Sequence, residues 1–108
     1  LLLRIDGRIR RVAIEQILSC EAQGKRQCLY LMDGTQAILR MTIAELYKML
    51  EQYEKFVKVG ASYIVNLSHI DSLNAHELCL DNGKSIFLPR GAYQPLRERY
   101  FCYYCGGG

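Results

Sequence analysis

Three tight-turn signals, Asp6-Gly7, Asp33-Gly34 and Asp81-Asn82-Gly83, punctuate this chain and limit its fold more than any other feature. Asp-Gly and Asn-Gly pairs supply the positive φ angles that a short hairpin turn needs, so each marks a point where one strand folds back on the next. The flanking segments fit strands. Arg4-Ile5 and Arg8-Ile9 enclose the first signal, Cys28 to Met32 and Thr35 to Arg40 the second, and Leu78 to Leu80 and Ile86-Phe87-Leu88 the third. Ala37 and Leu39 alternate with polar neighbours, as a half-buried strand requires. Leu18 to Gln23 and Cys28 to Met32 enclose Gly24-Lys25-Arg26-Gln27, a loop too polar for a core. Tyr63 to Asn66, a short turn at Leu67-Ser68-His69 and Ile70 to Leu73 add more strands. Repeated strands with few helices predict a mainly β fold.

Two segments break the pattern. Thr42-Ile43-Ala44-Glu45 has the spacing of a capping box, with Thr42 accepting from the backbone at Glu45 and Glu45 reaching back to the cap. The apolar residues Ile43, Leu46, Met49 and Leu50 then form one stripe, flanked by Tyr47 and Tyr53, which predicts a helix over about 42–52 packed on a sheet. The run from Tyr93 to Tyr104 predicts a terminal helix over about 92–104, with Pro95 in its first turn. The glycine tail 106–108 is expected to fray.

At 108 residues the chain suits one domain, with one core able to hold it. No run of 18 or more apolar residues occurs, and Arg4 interrupts Leu1-Leu2-Leu3, so neither a membrane span nor a signal peptide is expected. Five cysteines without secretory features suggest reduced thiols in the cytosol, with Cys20, Cys28 and Cys79 as small buried side chains. The formal charge of +3, from 14 Lys+Arg against 11 Asp+Glu, is too mild to identify a nucleic-acid partner. Its distribution says more. Arg8, Arg10 and Arg11 cluster, as do Lys25-Arg26, while Lys55, Lys58, Lys84 and Arg90 fall at strand ends or turns. Glu45, Glu51 and Glu54 sit apart, on the helix and its exit.

The stretch Phe56 to Ile70 reads as two buried strands around an interruption at Gly60-Ala61-Ser62. Together with Ile14-Glu15-Gln16-Ile17-Leu18-Ser19-Cys20-Glu21-Ala22, Asp81-Asn82-Gly83 and Leu88-Pro89-Arg90, it resembles the LytTR family of bacterial DNA-binding domains. Members place an Ile-Leu-x-x-Glu-Ala-like strand first, then a short helix, a Phe-x-x-x-x-x-Ser-Tyr-x-Val-Asn core, a glycine turn and an arginine at a strand end. The resemblance covers nearly the whole chain. It implies an elongated, multi-sheet β fold over 1–105 and sequence-specific binding of double-stranded DNA in transcription regulation, with β-scaffold loops entering the major groove. It further implies promoter direct repeats as targets and two molecules side by side on bent DNA. A chain that starts without methionine on an apolar stretch looks like an excised C-terminal module, and the resemblance implies a preceding receiver or sensor domain in a cytoplasmic two-component-type regulator.

Three loops carry the expected contacts. The first holds Lys25, Arg26 and Gln27; Lys and Arg suit phosphates or guanine edges, and Gln27 suits a bidentate pair with adenine. A solvated hairpin tip is the other reading. The second departs from the family, whose members usually carry His followed by Arg, Lys or Asn where this chain has Gly60 and Ala61. Lys58 or the Ser62 hydroxyl could offset that loss, and Asn66 is expected to hold the turn before Leu67. The third presents Arg90, stiffened by Pro89, to a guanine or phosphate; a salt bridge to Asp81 or Glu77 is the alternative.

Two rival functions follow from particular residues. Gly60-Ala61 permits an interaction module that kept the scaffold and lost DNA binding. Cys102-Tyr103-Tyr104-Cys105 has the spacing of a redox or metal half-site, but no second Cys-x-x-Cys completes it. No cofactor is expected. His69 and His76 have no neighbouring Ser or Cys in a triad arrangement, and no glycine-rich phosphate loop occurs, so catalysis is not expected.

Overall fold

The computed structural model describes residues 1–106, so Gly107 and Gly108 of the expected frayed tail lie outside the described residues. Every expected hairpin forms. Strands β1 (Leu2–Ile5) and β2 (Arg8–Arg11) make a small antiparallel sheet about the Asp6-Gly7 turn, where both residues adopt positive φ. A five-stranded antiparallel sheet follows, built from β3 (Ile17–Gln23), β4 (Arg26–Leu31), β5 (Gln36–Leu39), β6 (Phe56–Val59) and β7 (Tyr63–Asn66) in the order β5-β4-β3-β7-β6. The third sheet holds β8 (Ile70–Leu73), β9 (Glu77–Leu80) and β10 (Ser85–Phe87) in the order β10-β9-β8. Helices α1 (Ile43–Leu50) and α2 (Tyr93–Tyr104) complete the domain, which is mainly β and elongated at 40 × 27 × 25 Å.

Alternation along the strands assigns the two faces of the large sheet to two cores. Ile64 points to one side, with Leu29, Leu31, Leu39 and Phe56, and meets Leu46 and Leu50 of α1 and Leu3 and Ile5 of β1. Val57, Val59 and Val65 point to the other and meet Ile70, Leu78, Leu80 and Ile86 of the third sheet and Leu96 of α2. Leu46 and Leu50 are fully buried; truncating such a leucine to alanine costs roughly 2–5 kcal/mol. The expected apolar stripe of α1 is therefore the seal of the first core, with Ile43, Met49, Tyr47 and Tyr53 at its margin. Thr42 Oγ1 accepts from the Glu45 backbone N–H at 3.1 Å, and its own hydroxyl donates to the Glu45 carboxylate at 3.0 Å. The capping pair thus closes through the Thr42 hydroxyl.

Two polar knots hold the junction where the large sheet passes into the third. Asn66, buried completely, donates to Ile17 O at 2.9 Å and accepts from the Ser68 backbone N–H at 3.0 Å, holding the 3₁₀ turn Leu67–His69. His69 places Nε2 2.7 Å from Glu15 O and Nδ1 2.8 Å from Asp81 Oδ2. A carbonyl oxygen only accepts, so Nε2 is the donor to Glu15 O. Through these bonds the start of the β9–β10 turn is tied to the segment that leads into β3.

The structure shortens one expected loop. Between β3 and β4 the turn is Gly24-Lys25 alone, with Gly24 at φ +65°, and the ladder already pairs Arg26 with Gln23 and Gln27 with Ala22. A two-residue turn needs no more chain than this.

Candidate nucleic-acid interface

Three turns neighbour one another, the second bonded through the backbone to the strand that carries the first and packed against the third. The β3–β4 tip, Gly24-Lys25, comes first. The β6–β7 turn, Gly60-Ala61-Ser62, is joined to the adjacent end of β3 by the bond from Ala22 N to Ser62 O at 2.7 Å. The segment after β10, Pro89-Arg90-Gly91, touches the other side of that turn: a Cβ built on Gly60 would lie 2.7 Å from Pro89 Cγ. Gly60 also has φ +60°, a conformation that costs side-chain-bearing residues free energy. Its place in this chain has a local cause, the close approach of the third loop.

Shallow grooves fill the gaps in this row. One of about 770 Å³ is lined by Lys25, Arg26, Arg40, Thr42, Glu45 and Ala61. Another of about 470 Å³ is lined by Lys58, Gly60, Pro89, Arg90 and Arg99, among others. Lys25, Arg26, Lys58, Ser62 and Arg90 are all exposed. Among the described residues the ion pairs are Lys55–Glu15, His69–Asp81 and Lys84–Glu21, so none of these four basic residues is paired. Arg90 forms no salt bridge with Asp81, whose carboxylate serves His69, or with Glu77.

Other basic residues belong to the scaffold. Lys84 Nζ sits 3.5 Å from the centroid of the Tyr30 ring and 3.5 Å from Glu21 Oε2, clasping the third sheet to the face of the large one. Burial, followed by the neighbouring Cys28, pushes the Tyr30 hydroxyl up to about 12. Arg99 donates from Nη2 to Glu54 O at 3.3 Å and Phe56 O at 3.2 Å, which anchors α2 beside β6.

One expected contact residue is corrected. Gln27 is only 1% exposed, points with Leu29 and Leu31 into the first core and donates from Nε2 to Met41 O at 3.2 Å. A side chain so placed cannot reach a base edge while β4 stays intact. The early start of β4 is the reason, because it shifts Gln27 from a loop into a core-facing ladder position. The expected separation of acidic charge is also incomplete, since Glu45 lines the groove beside Lys25. Arg40 is a site residue outside the sequence expectations, although its position carries a signal: like Arg90, it stands between a strand and a helix, two residues before the helix cap.

Cys102 and Cys105 are both exposed free thiols, and among the described residues no group of three His, Cys, Asp or Glu could hold a metal ion.

A model of the LytTr DNA-binding domain matches residues 7–100 of this architecture. The chain belongs to the LytTR family of DNA-binding domains. Four solved chains match it. One is the LytTr DNA-binding domain of a Bacillus cereus response regulator, 18% identical, with a TM-score of 0.74 over 92% of this chain and 94% of that one. At that identity the likeness is one of fold. A search of curated proteins found no match. Among the described residues no helix of this LytTR domain is long and apolar enough to cross a membrane.

Proposed function

We propose that this LytTR domain reads specific sequence in double-stranded DNA by inserting its row of turns into the major groove of promoter direct repeats. The observation that supports this reading best is the row itself: exposed Lys25, Arg26, Lys58 and Arg90, none in an ion pair among the described residues, on turns and the strand ends beside them that pack side by side. Arg90 grips a guanine edge bidentately, the commonest specific contact in a major groove. Lys25, Arg26 and Lys58 take phosphates on either side, and the Ser62 hydroxyl adds a polar contact where Ala61 has none. Two copies bind neighbouring repeats on one DNA face. The domain is the output of a two-component-type transcription regulator with a receiver or sensor domain, working in the cytoplasm and carrying out no catalysis of its own.

The deciding experiment is fluorescence anisotropy with a pool of duplexes bearing degenerate direct repeats, at two salt concentrations, for the wild type, Arg90→Ala and Ala61→Lys. Selective, salt-sensitive binding that loses selectivity in Arg90→Ala and tightens in Ala61→Lys is expected. Absence of any DNA complex in all three proteins would instead favour an interaction module on the same scaffold.

A further inference from the structure

A second basic groove lies beyond the reading turns. It has a volume of about 780 Å³ and runs between the β1–β2 hairpin and the edge of the large sheet. Arg4, Arg26 and Arg40 line it, Asp6 stands on its rim, and Leu2, Ile38 and Met41 are among its apolar walls. Arg4, Arg26 and Arg40 are exposed, and among the described residues none is in an ion pair.

The placement of two of these arginines is unusual in energetic terms. Gln27 faces Leu39 in the last pair of the β4–β5 ladder, so Arg26, the first residue of β4, and Arg40, the residue just past β5, stand one step further along on neighbouring stretches of chain. Like charges in such positions repel and destabilise a sheet. A third guanidinium, Arg4, lines the same groove, and Asp6 is the acidic residue that lines it with them. The repulsion disappears when a polyanion is bound.

Arg26 and Arg40 also line the groove beside Lys25 and Ala61. The basic surface is therefore continuous from the first reading turn, over the β4–β5 edge, to the N-terminal hairpin. We infer that this second groove is a phosphate track, which takes the sugar-phosphate backbone of the duplex flanking the base-read segment, with Arg4 and Arg40 as its contact residues. The inference rests on the DNA-reading proposal and adds to it a surface that contacts no bases. Guanidinium groups suit phosphate oxygens, and the apolar walls suit the sugar faces between them. A duplex held both in the reading turns and here follows the basic surface over the β4–β5 edge, which favours sequences that bend.

The test uses the 108-residue chain and duplexes of two lengths sharing one selected repeat, a short one of about 10 base pairs, one helical turn, and one with long flanks. Wild type, Arg4→Ala/Arg40→Ala and Arg4→Lys/Arg40→Lys are titrated across a salt series, with circular dichroism as the fold control. On the long duplex the alanine pair should lose about tenfold in affinity, equally for matched and scrambled sequence, and its salt slope should flatten by about 0.9 for each lost phosphate contact. On the short duplex its loss should be smaller, the part that Arg40 contributes from the groove beside Lys25. The lysine pair should keep the slope, because a phosphate accepts a point charge where a guanine edge requires the planar fork. A wild-type complex whose slope and affinity on the long duplex are unchanged in the folded alanine pair would overturn the track, even if the groove then proved to hold an acidic peptide. A wild type that binds neither duplex would instead overturn the reading beneath it, and the track with it.

Discussion

Gly60 lies so close beneath Pro89 that a Cβ placed on it would stand 2.7 Å from Pro89 Cγ. The two residues come from different sheets' connections, and their close approach packs the β6–β7 turn against the Arg90 segment. With φ at +60°, position 60 is closed to side chains on both counts. Gly60→His, which brings in the residue type usual in the family, should therefore lower stability by at least about 1–2 kcal/mol. Ala61 is exposed, and Ala61→Lys should stay within about 0.5 kcal/mol of the wild type. Urea denaturation reads both. A Gly60→His protein as stable as the wild type would mean that the turn and Pro89 are free to part.

Glu45 is the acidic residue lining the groove that also holds Lys25, Arg26 and Arg40. Its carboxylate faces any phosphate bound there with the wrong sign. Glu45→Gln keeps a side chain suited to the Thr42 cap while removing the charge. DNA affinity should rise about two- to fivefold at low salt and converge with the wild type as the Debye length shrinks below the charge separation. Equal affinities at low salt would move the DNA path away from the N-terminus of α1.

The turn signals made the hairpins legible because an Asp-Gly or Asn-Gly pair dictates backbone geometry locally. Thr42 and Glu45 marked the start of α1 for the same reason, and the stripe through Leu46 and Leu50 marked its buried face. Arg90 and Lys25 were legible as strand-end and turn residues. Gln27 was misjudged because the distinction between a two-residue and a four-residue turn depends on Gly24 accepting φ +65° and on the core that Gln27 joins, and polarity says nothing of either. Gly60 looked like a lost contact, since only the tertiary fold brings Pro89 against it. Arg40 was illegible as a site residue because its neighbours Arg26 and Arg4 come from other strands, and no local pattern announces which edges meet.

Buried Gln27 leads to a prediction opposite to that of a base-reading glutamine. Its Oε1 is buried with no hydrogen-bond partner, while Nε2 spends its bond on Met41 O. An unsatisfied buried acceptor costs about 1–3 kcal/mol, which offsets the bond that the amide makes. Gln27→Met, similar in length and wholly apolar, should therefore change stability by less than about 1 kcal/mol in either direction. Its DNA affinity should equal that of the wild type at every sequence. A loss of about 1–3 kcal/mol in binding, confined to one base position, would put Gln27 back at the DNA.

The thiols should divide by burial. Cys20 is fully buried and Cys28 nearly so, and burial first, then the neighbouring Cys28, pushes the Cys20 thiol far up, so no thiolate forms there near neutral pH. Cys79 is half-buried, and its thiol contacts Leu80 O at 3.7 Å. Cys102 stands exposed on the last turn of α2, and Cys105 stands exposed at its C-cap. Alkylation of the native protein at pH 8, followed by mass spectrometry, should modify Cys102 and Cys105 first, Cys79 more slowly, and Cys20 and Cys28 only as the protein unfolds. Early labelling of Cys20 would show that β3 and β4 part in the native state, and with them the hairpin that carries Lys25. The Cys102→Ser/Cys105→Ser protein should keep the wild-type DNA affinity before and after oxidant. A difference that appears only with oxidant would make the exposed pair a thiol switch acting through α2, whose Arg99 bonds to Glu54 O and Phe56 O run directly into the strand that carries Lys58.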